Sequence, residues 1–356
     1  MKHPLDVADE VFLELDELIP SAKYAFQSTY LQNFRVFSGK MKTILDDLKK
    51  LASTTGVPLL IKGPTGSGKE LAAQFMHYEV DRSPGEYIAI NCTNMNKEMF
   101  ESELFGYKGG AFTGASREGH HGYIRQAAQG TLFLDEISEI DTNLQAKLLR
   151  VLEEKEYYPM GGSRKEKVNC RMIFATNKNM EKMVEQGALR KDLYYRLNVV
   201  KVDIPPLEQR KEEILPLLAF FVKWLNHDFK KDVRYIQGKV LKFMYLYKWP
   251  GNIRELRNFI TQIMVFIEGD TIRFEHLQTK DELDRRQTQS FSDKWKPEKR
   301  SEPEIIEEML QEPFDLETFT MNIVRAALKK FDGNKSKTAQ FLGLKREQLY
   351  NRYKTD

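Results

Sequence analysis

Gly63-Pro64-Thr65-Gly66-Ser67-Gly68-Lys69 follows the apolar run Val57-Pro-Leu-Leu-Ile61 and opens onto the helical stretch Glu70-Leu-Ala-Ala-Gln-Phe-Met76. Its glycines and lysine fit the P-loop pattern. Glycines let backbone amides close around phosphates, the helix N-terminus favours negative charge, and Lys69 can reach the β- and γ-phosphates. A plain glycine-rich turn needs neither the strand before it nor the lysine in register. ATP with Mg²⁺ is therefore the expected cofactor, bound by residues Gly63 to Lys69 and by Glu70, which stands where a Ser or Thr normally touches the metal.

Reading outward, apolar runs alternate with helical patterns from Phe37 to about Pro206. The runs are Val57–Ile61, Tyr87-Ile-Ala-Ile90, Thr131-Leu-Phe-Leu134, Arg171-Met-Ile-Phe-Ala175 and Val199-Val-Lys-Val-Asp-Ile204. That alternation predicts an α/β fold: a parallel sheet with helices on both faces. The third run ends in Asp135-Glu136, two carboxylates at the carboxyl end of a strand, where ligands of such sheets collect. Asp135 is expected to hold Mg²⁺ through water and Glu136 to polarise the attacking water. After Pro205-Pro206 the pattern turns helical through Ile267, which predicts a small all-helical lid over 207–280.

The chain has 356 residues, enough for two or three domains. Its net charge of +3 is too small to mark the whole chain as a nucleic-acid binder. No apolar run approaches the ~18 residues of a membrane helix, and acidic residues interrupt the start where a signal peptide wants an apolar stretch. A cytoplasmic protein without membrane contact is expected. Cys92 and Cys170 lack ligand-type spacing and are read as buried thiols. Residues 1–36 are mildly acidic, with a helix-like piece over Val11–Ile19; they are too few for a receiver or ligand-sensing domain. Residues 281–313 are polar and carry Pro297, Pro303 and Pro313, which predicts a flexible linker.

Residues 314–356 regain helical periodicity. Asn334-Lys-Ser-Lys-Thr-Ala-Gln-Phe-Leu342, Gly343 and Leu344-Lys-Arg-Glu-Gln-Leu-Tyr-Asn-Arg352 read as helix, turn and helix, with Ala339, Leu342, Leu344 and Leu349 forming the apolar angle. The second helix offers Lys345, Arg346, Gln348, Asn351 and Arg352 to phosphates and base edges. A helix preceding this pair, Leu316–Phe331, would support dimerisation on a two-fold symmetric site.

Between the P-loop and Asp135 lies Glu101-Ser-Glu-Leu-Phe-Gly-Tyr-Lys-Gly-Gly110-Ala111-Phe112-Thr113-Gly114-Ala115. This string resembles the insertion by which bacterial enhancer-binding proteins, the AAA+ activators of sigma-54 RNA polymerase, engage the sigma factor. The resemblance extends over about Phe37 to Gln278 and Phe314 to Asp356, and includes Glu70. It implies sigma-54 contact by Gly110 to Ala115, a switch role for Asn91 against the catalytic glutamate, and a sensor I at Thr176 and Asn177. In Leu189-Arg190-Lys-Asp-Leu-Tyr-Tyr-Arg196-Leu197 it implies arginine fingers at Arg190 and Arg196 that act on a neighbouring subunit. In Trp249-Pro-Gly-Asn-Ile-Arg254 it implies a sensor II, with Arg254 reaching the nucleotide of its own subunit. The C-terminal segment is similar to the Fis-type module.

These resemblances imply a sigma-54-dependent activator that binds double-stranded enhancer DNA and assembles into a homo-oligomeric ring, expected to be a hexamer. It would hydrolyse ATP to remodel the closed polymerase complex. A separate regulatory protein or the short N-terminal segment would supply control. An AAA+ remodeller, or a nucleotide-sensing DNA-binding regulator with no sigma contact, stays open as an alternative, although neither needs the Gly110–Ala115 string.

Overall fold

The computed structural model describes residues 5, 7–18, 26–27, 35–52, 54, 56–81, 83–93, 97–111, 116–278 and 334–341. The chain divides into two compact units, Met1–Leu283 and Asp284–Asp356.

All five apolar runs form strands: β1 (Leu59–Lys62), β2 (Tyr87–Asn91), β3 (Thr131–Asp135), β4 (Arg171–Thr176) and β5 (Val200–Asp203). They make one sheet in the order β5-β1-β4-β3-β2, and every pairing is parallel. The central strands are apolar throughout because both faces are covered. Their residues separate by the two-residue period of a strand. Leu59, Ile61, Phe133, Ile173, Ala175 and Val202 face one core, packed by Met41, Leu45 and Leu48 of helix α1 (Gly39–Lys50) and by Ala72, Ala73 and Phe75 of α2 (Lys69–Phe75). Leu60, Leu132, Leu134, Met172 and Phe174 face the other core. That one is packed by Phe100 and Leu104 of α3 (Lys97–Phe105), by Leu144, Leu148 and Val151 of α4 (Thr142–Glu154), and by Leu193 and Leu197 of α5 (Lys191–Leu197).

A parallel sheet delivers the carboxyl ends of all its strands to one edge. Here β4 lies between β1 and β3, so the residues after Thr176 sit between the P-loop and the Asp135-Glu136 pair. The entry to the P-loop is fixed from both sides. Gly63 N–H donates to Thr176 O at 3.2 Å, and Ile204 N–H donates to Lys62 O at 2.7 Å.

The lid begins with a short helical segment, Leu207–Glu213, and continues through α6 (Ile214–Phe229), α7 (Gly238–Leu246) and α8 (Asn252–Phe266). Trp249, 1 % exposed, anchors it: the indole N–H donates to Met244 O at 2.9 Å and the ring meets Tyr247 and Phe259 edge-on. The helical lid also carries a short sheet. Tyr235–Gln237 pairs in parallel with Thr271–Ile272 and antiparallel with Phe12–Glu14.

The N-terminal strand differs from the helix expected over Val11–Ile19. The lid offers an open strand edge, so Phe12–Glu14 pairs there, and Leu15–Leu18 follows as a single 3₁₀ turn whose three-residue spacing buries both Leu15 and Leu18. Two ion pairs, Lys242 with Asp9 and Lys223 with Asp16, flank the contact.

Within the second unit the described residues are Asn334–Phe341. Lys335–Phe341 is a helix, Asn334 Oδ1 accepts from Lys337 N–H at 3.1 Å, and Thr338 and Ala339 are buried. The expected linker and the second helix of the DNA-binding pair lie outside the described residues.

Candidate functional site

The P-loop conformation depends on glycine at two positions. Gly66 has φ +75° and Gly68 φ +106°, the left-handed region that side chains strain to enter. Gly66 also lies so close to the lid that a Cβ there would meet Gly251 O at 2.4 Å. Gly68 is the cap residue of α2 and offers no side-chain bond, so the first amides of that helix remain available. Lys69, 6 % exposed, donates from Nζ to Gly63 O at 3.1 Å and to Glu136 Oε1 at 3.4 Å.

Glu136 itself has φ 52°, a left-handed turn at the end of β3 that aims its side chain back toward the P-loop. Its other oxygen, Oε2, accepts from the Asn177 backbone N–H at 3.1 Å, and Asn177 Nδ2 donates to Thr65 Oγ1 at 2.8 Å. Lys69, Glu136, Asn177 and Thr65 thus form one connected group across three adjacent strands. Asp135 turns inward to its own strand end, with Oδ1 accepting from Glu136 N–H at 3.0 Å.

Two residues assigned to this site by resemblance have other partners. Thr176 is fully buried, and its hydroxyl is bonded to Ser138 Oγ at 3.1 Å and to Lys178 N–H at 3.1 Å. Asn91 pairs in register with Asp135, yet its Oδ1 accepts from Thr93 N–H at 2.9 Å and from the Thr93 hydroxyl at 2.5 Å. Glu136 is therefore held by Lys69 and Asn177.

Glu70 lies near both Asp135 and Arg254. Burial and the Asp135 charge push its carboxyl above the ordinary range, and Arg254 pulls it back. Glu70 beside the Asp135 carboxylate fits a divalent cation placed between the pair and phosphate oxygens. Among the described residues no group of three or more His, Cys, Asp or Glu could hold a metal alone. A metal here would need oxygens from the nucleotide.

The lid closes over the P-loop through the turn before α8. Asn252, 2 % exposed and at φ 54°, donates from Nδ2 to Thr65 O at 3.0 Å and accepts from Leu207 N–H at 2.8 Å, and Ile253 N–H donates to Gly66 O at 3.0 Å. This places Arg254 directly above Gly66. Beside it opens a cavity of about 140 Å³, walled by Val36, Leu71, Leu217, Phe221, Trp224 and Ile253. Arg257 lies over the Trp224 ring at 4.8 Å and Arg35 over Phe220 at 5.3 Å. The resemblance assigns no role to Asn252; the signal for it in the sequence is an Asn directly after Trp-Pro-Gly, a residue that tolerates the left-handed turn.

Arg190 and Arg196 are engaged elsewhere. Arg190 is exposed and forks onto Asp192 at 3.1 and 2.7 Å. Arg196 donates to Leu152 O at 3.2 and 2.9 Å. Gly110 has φ +77° and Ala111 follows it; Phe112, Thr113, Gly114 and Ala115 lie outside the described residues, as do Lys345, Arg346, Gln348, Asn351 and Arg352. The stem of that insertion is tied to the segment after α4, since Lys108 N–H donates to Met160 O at 3.0 Å and Met160 N–H to Gly106 O at 2.9 Å. Both thiols are free, Cys92 buried and Cys170 half-buried, and burial pushes each up to about 12.

A P-loop between β1 and a helix, paired carboxylates after β3 and a helical lid reaching back through Asn252 define a AAA+ nucleotide-binding module. Three family models match it in succession: the Sigma-54 interaction domain over residues 35–203, the AAA+ ATPase lid domain over 208–294, and the Bacterial regulatory protein, Fis family, over 316–354. The chain belongs to the sigma-54-dependent transcriptional activators. Relatives include the transcriptional activator RocR of Bacillus subtilis, 39 % identical over 322 residues that cover 89 % of this chain and 67 % of RocR. The regulatory protein AtoC of Escherichia coli is 37 % identical over 312 residues, 88 % of this chain and 65 % of AtoC. The phenol regulator MopR of Acinetobacter guillouiae is 36 % identical over 354 residues, 99 % of this chain and 62 % of MopR. The chain thus spans somewhat under two thirds of the length of MopR and AtoC. Among solved structures it is similar to NtrX from Brucella abortus, with TM-score 0.61, 29 % identity, and coverage of 89 % of this chain and 67 % of NtrX. NtrX has also been solved in complex with ATP and with ADP. No helix among the described residues is long and apolar enough to cross a membrane.

Proposed function

We propose that the chain hydrolyses ATP in the cleft between sheet and lid, and uses the hydrolysis to remodel a closed sigma-54 polymerase complex. The observation that carries this reading is the connected group Lys69, Glu136, Asn177 and Thr65 at the carboxyl ends of three neighbouring strands. Amides of the P-loop and Lys69 bind the phosphates, and the apolar cavity beside Ile253 receives the base. Glu136 orients and takes the proton of the attacking water; to do so its carboxylate must leave Lys69, which transfers to the phosphates. Asp135 and Glu70 would hold Mg²⁺, which supplies charge neutralisation on the phosphate oxygens. Complexes of the similar NtrX with ATP and ADP support the nucleotide assignment.

The resemblance, together with the exposure of Arg190, supports a role for Arg190 and Arg196 across a subunit boundary. Assembly into a ring, a hexamer by resemblance, follows from that role. Residues 110–115 make the sigma-54 contact, and residues 314–356, joined through 281–313 to the 37–206 and 207–280 parts, bind enhancer DNA. Residues 1–36 form a short regulatory segment, a role supported by the pairing of Phe12–Glu14 with the lid strand Tyr235–Gln237. Transcription in vitro with sigma-54 polymerase on an enhancer-bearing template tests the whole reading. ATP-dependent open-complex formation is expected; hydrolysis without it would leave a remodeller of some other target.

A further inference from the structure

The first segment of the lid, Leu207–Glu213, holds a buried charge pair outside the group formed by Lys69, Glu136, Asn177 and Thr65. Arg210 is 1 % exposed and Glu213 2 %, and Nη1 meets Oε2 at 3.0 Å. Arg210 Nη2 donates to Ser67 O, inside the P-loop, at 2.6 Å. Glu213 Oε1 accepts from both the backbone N–H of Ser38 at 3.1 Å and its hydroxyl at 2.6 Å. Ser38 is the N-cap of α1, its Oγ accepting from Met41 N–H. One ion pair therefore joins the lid entrance, the P-loop and the cap of α1. Val36, Met41, Ser67, Gly68 and Arg210 all line the cavity assigned above to the base.

Burying two charges is a poor route to stability alone, since desolvation offsets most of their attraction and a well-packed apolar pair does as well. The position of the bond to Ser67 is more telling. Ser67 C=O and Gly68 N–H belong to one planar trans peptide, in which the two groups point in opposite directions. Fixing the carbonyl on Arg210 fixes the amide on the other side, toward the interior of the loop where phosphate oxygens are received. Gly68, at φ +106° with nothing within 4 Å of a Cβ position, has no packing of its own to set that orientation. Arg210 departs from helical geometry at φ −138° and ψ 49°, which turns its side chain inward from the lid entrance.

We propose that Arg210, held by Glu213 and Ser38, is a positioning residue for nucleotide: it fixes the Ser67–Gly68 peptide so that the Gly68 amide faces the phosphates, and thereby makes affinity for ATP depend on the seating of the lid entrance. The proposal rests on the ATP-binding reading given above.

The test uses the full chain with ATP and Mg²⁺. In the double variant Arg210→Met, Glu213→Gln the buried charges are removed together, and the glutamine carbonyl still accepts from Ser38. In Arg210→Lys the charge pair is kept, but one ammonium replaces the fork that reaches Ser67 O and Glu213 together. Thermal unfolding without nucleotide, and KM and kcat for ATP hydrolysis, are measured for both and for wild type. A folded variant is expected to show KM raised about tenfold with kcat changed by less than about threefold, the pattern of lost ground-state binding. Lysine should give the smaller rise. A folded variant with wild-type KM overturns the proposal, as does a fall in kcat at unchanged KM, or failure of both variants to fold, which would make the pair a stability element only. If wild type itself binds no ATP, the nucleotide reading fails first, and visibly so.

Discussion

Lys69 Nζ and Glu136 Oε1 stand 3.4 Å apart, with the two side chains 6 % and 13 % exposed. The lysine proposed to bind phosphate and the glutamate proposed to activate water thus neutralise each other. Lys69→Ala is expected to abolish measurable ATP binding. Glu136→Gln should leave binding at least as tight as wild type, because it frees the lysine, while hydrolysis falls by about 10²–10⁴-fold, as for loss of a general base. Fluorescence titration with a labelled ATP analogue and a phosphate-release assay check both. Weaker binding in the glutamine variant would count against this competition.

Gly66 and Gly187 have nearly the same left-handed φ, +75° and +71°, but only Gly66 has backbone pressed against it. Alanine at Gly187 should lower stability by roughly 1–2 kcal/mol from strain alone, and leave ATP affinity unchanged. Alanine at Gly66 adds a collision with Gly251 O and must push the lid away, so ATP affinity should fall by about tenfold or more, ~1.4 kcal/mol. Equal effects of the two substitutions on affinity would show that the lid contact is irrelevant to binding.

Arg196 is bonded to Leu152 O within its own subunit. If it serves a neighbour's nucleotide, mixing inactive Arg196→Ala subunits with inactive Glu136→Gln subunits should restore part of the hydrolysis, because some interfaces regain both groups. The expected arginine contribution is on the order of 10³–10⁵ in rate. Mixed assemblies that stay silent at every ratio would sink the assignment.

The Gly106–Tyr107 stem of the insertion is tied to Met160, while Lys69, Glu136 and Asn177 are bonded to one another. Contact with sigma-54 and ATP chemistry should therefore be separable. Thr113→Ala is expected to retain more than about half of the hydrolysis rate and to lose both sigma-54 capture with ADP–aluminium fluoride and promoter opening. Normal activation by this variant would remove the sigma contact from residues 110–115.

Deleting residues 314–356 should abolish enhancer footprinting while ATP hydrolysis persists at high protein concentration. Unchanged footprinting by the shortened chain would place DNA binding elsewhere.

The sheet and the P-loop were legible in the sequence because each depends on local pattern. Strands buried on both faces read as apolar runs, and the loop needs glycine and lysine at fixed spacing. Side-chain partners were not legible in the same way. Nothing in Phe-Ala-Thr-Asn reveals that Thr176 turns to Ser138 while Asn177 turns to Thr65, since both are short polar residues at a strand end. The Arg210–Glu213 pair looks in sequence like any solvated i,i+3 pair, and only the packing of the lid entrance against the P-loop and the start of α1 makes it a buried one. The strand Phe12–Glu14 is invisible to local pattern because its partner lies far along the chain; Asp9 and Lys242, which pair beside it, are 233 residues apart.

That separation has a consequence for how the protein is made. Residues 7–18 leave the ribosome before the lid that receives them, and at about 5–20 residues per second they wait roughly 10–50 s for Tyr235–Gln237 to follow. Until then Val7, Leu15 and Leu18, all buried in the finished fold, have no surface to cover them. The nascent chain therefore carries an uncovered apolar segment until the lid has been made, a natural place for a chaperone to hold.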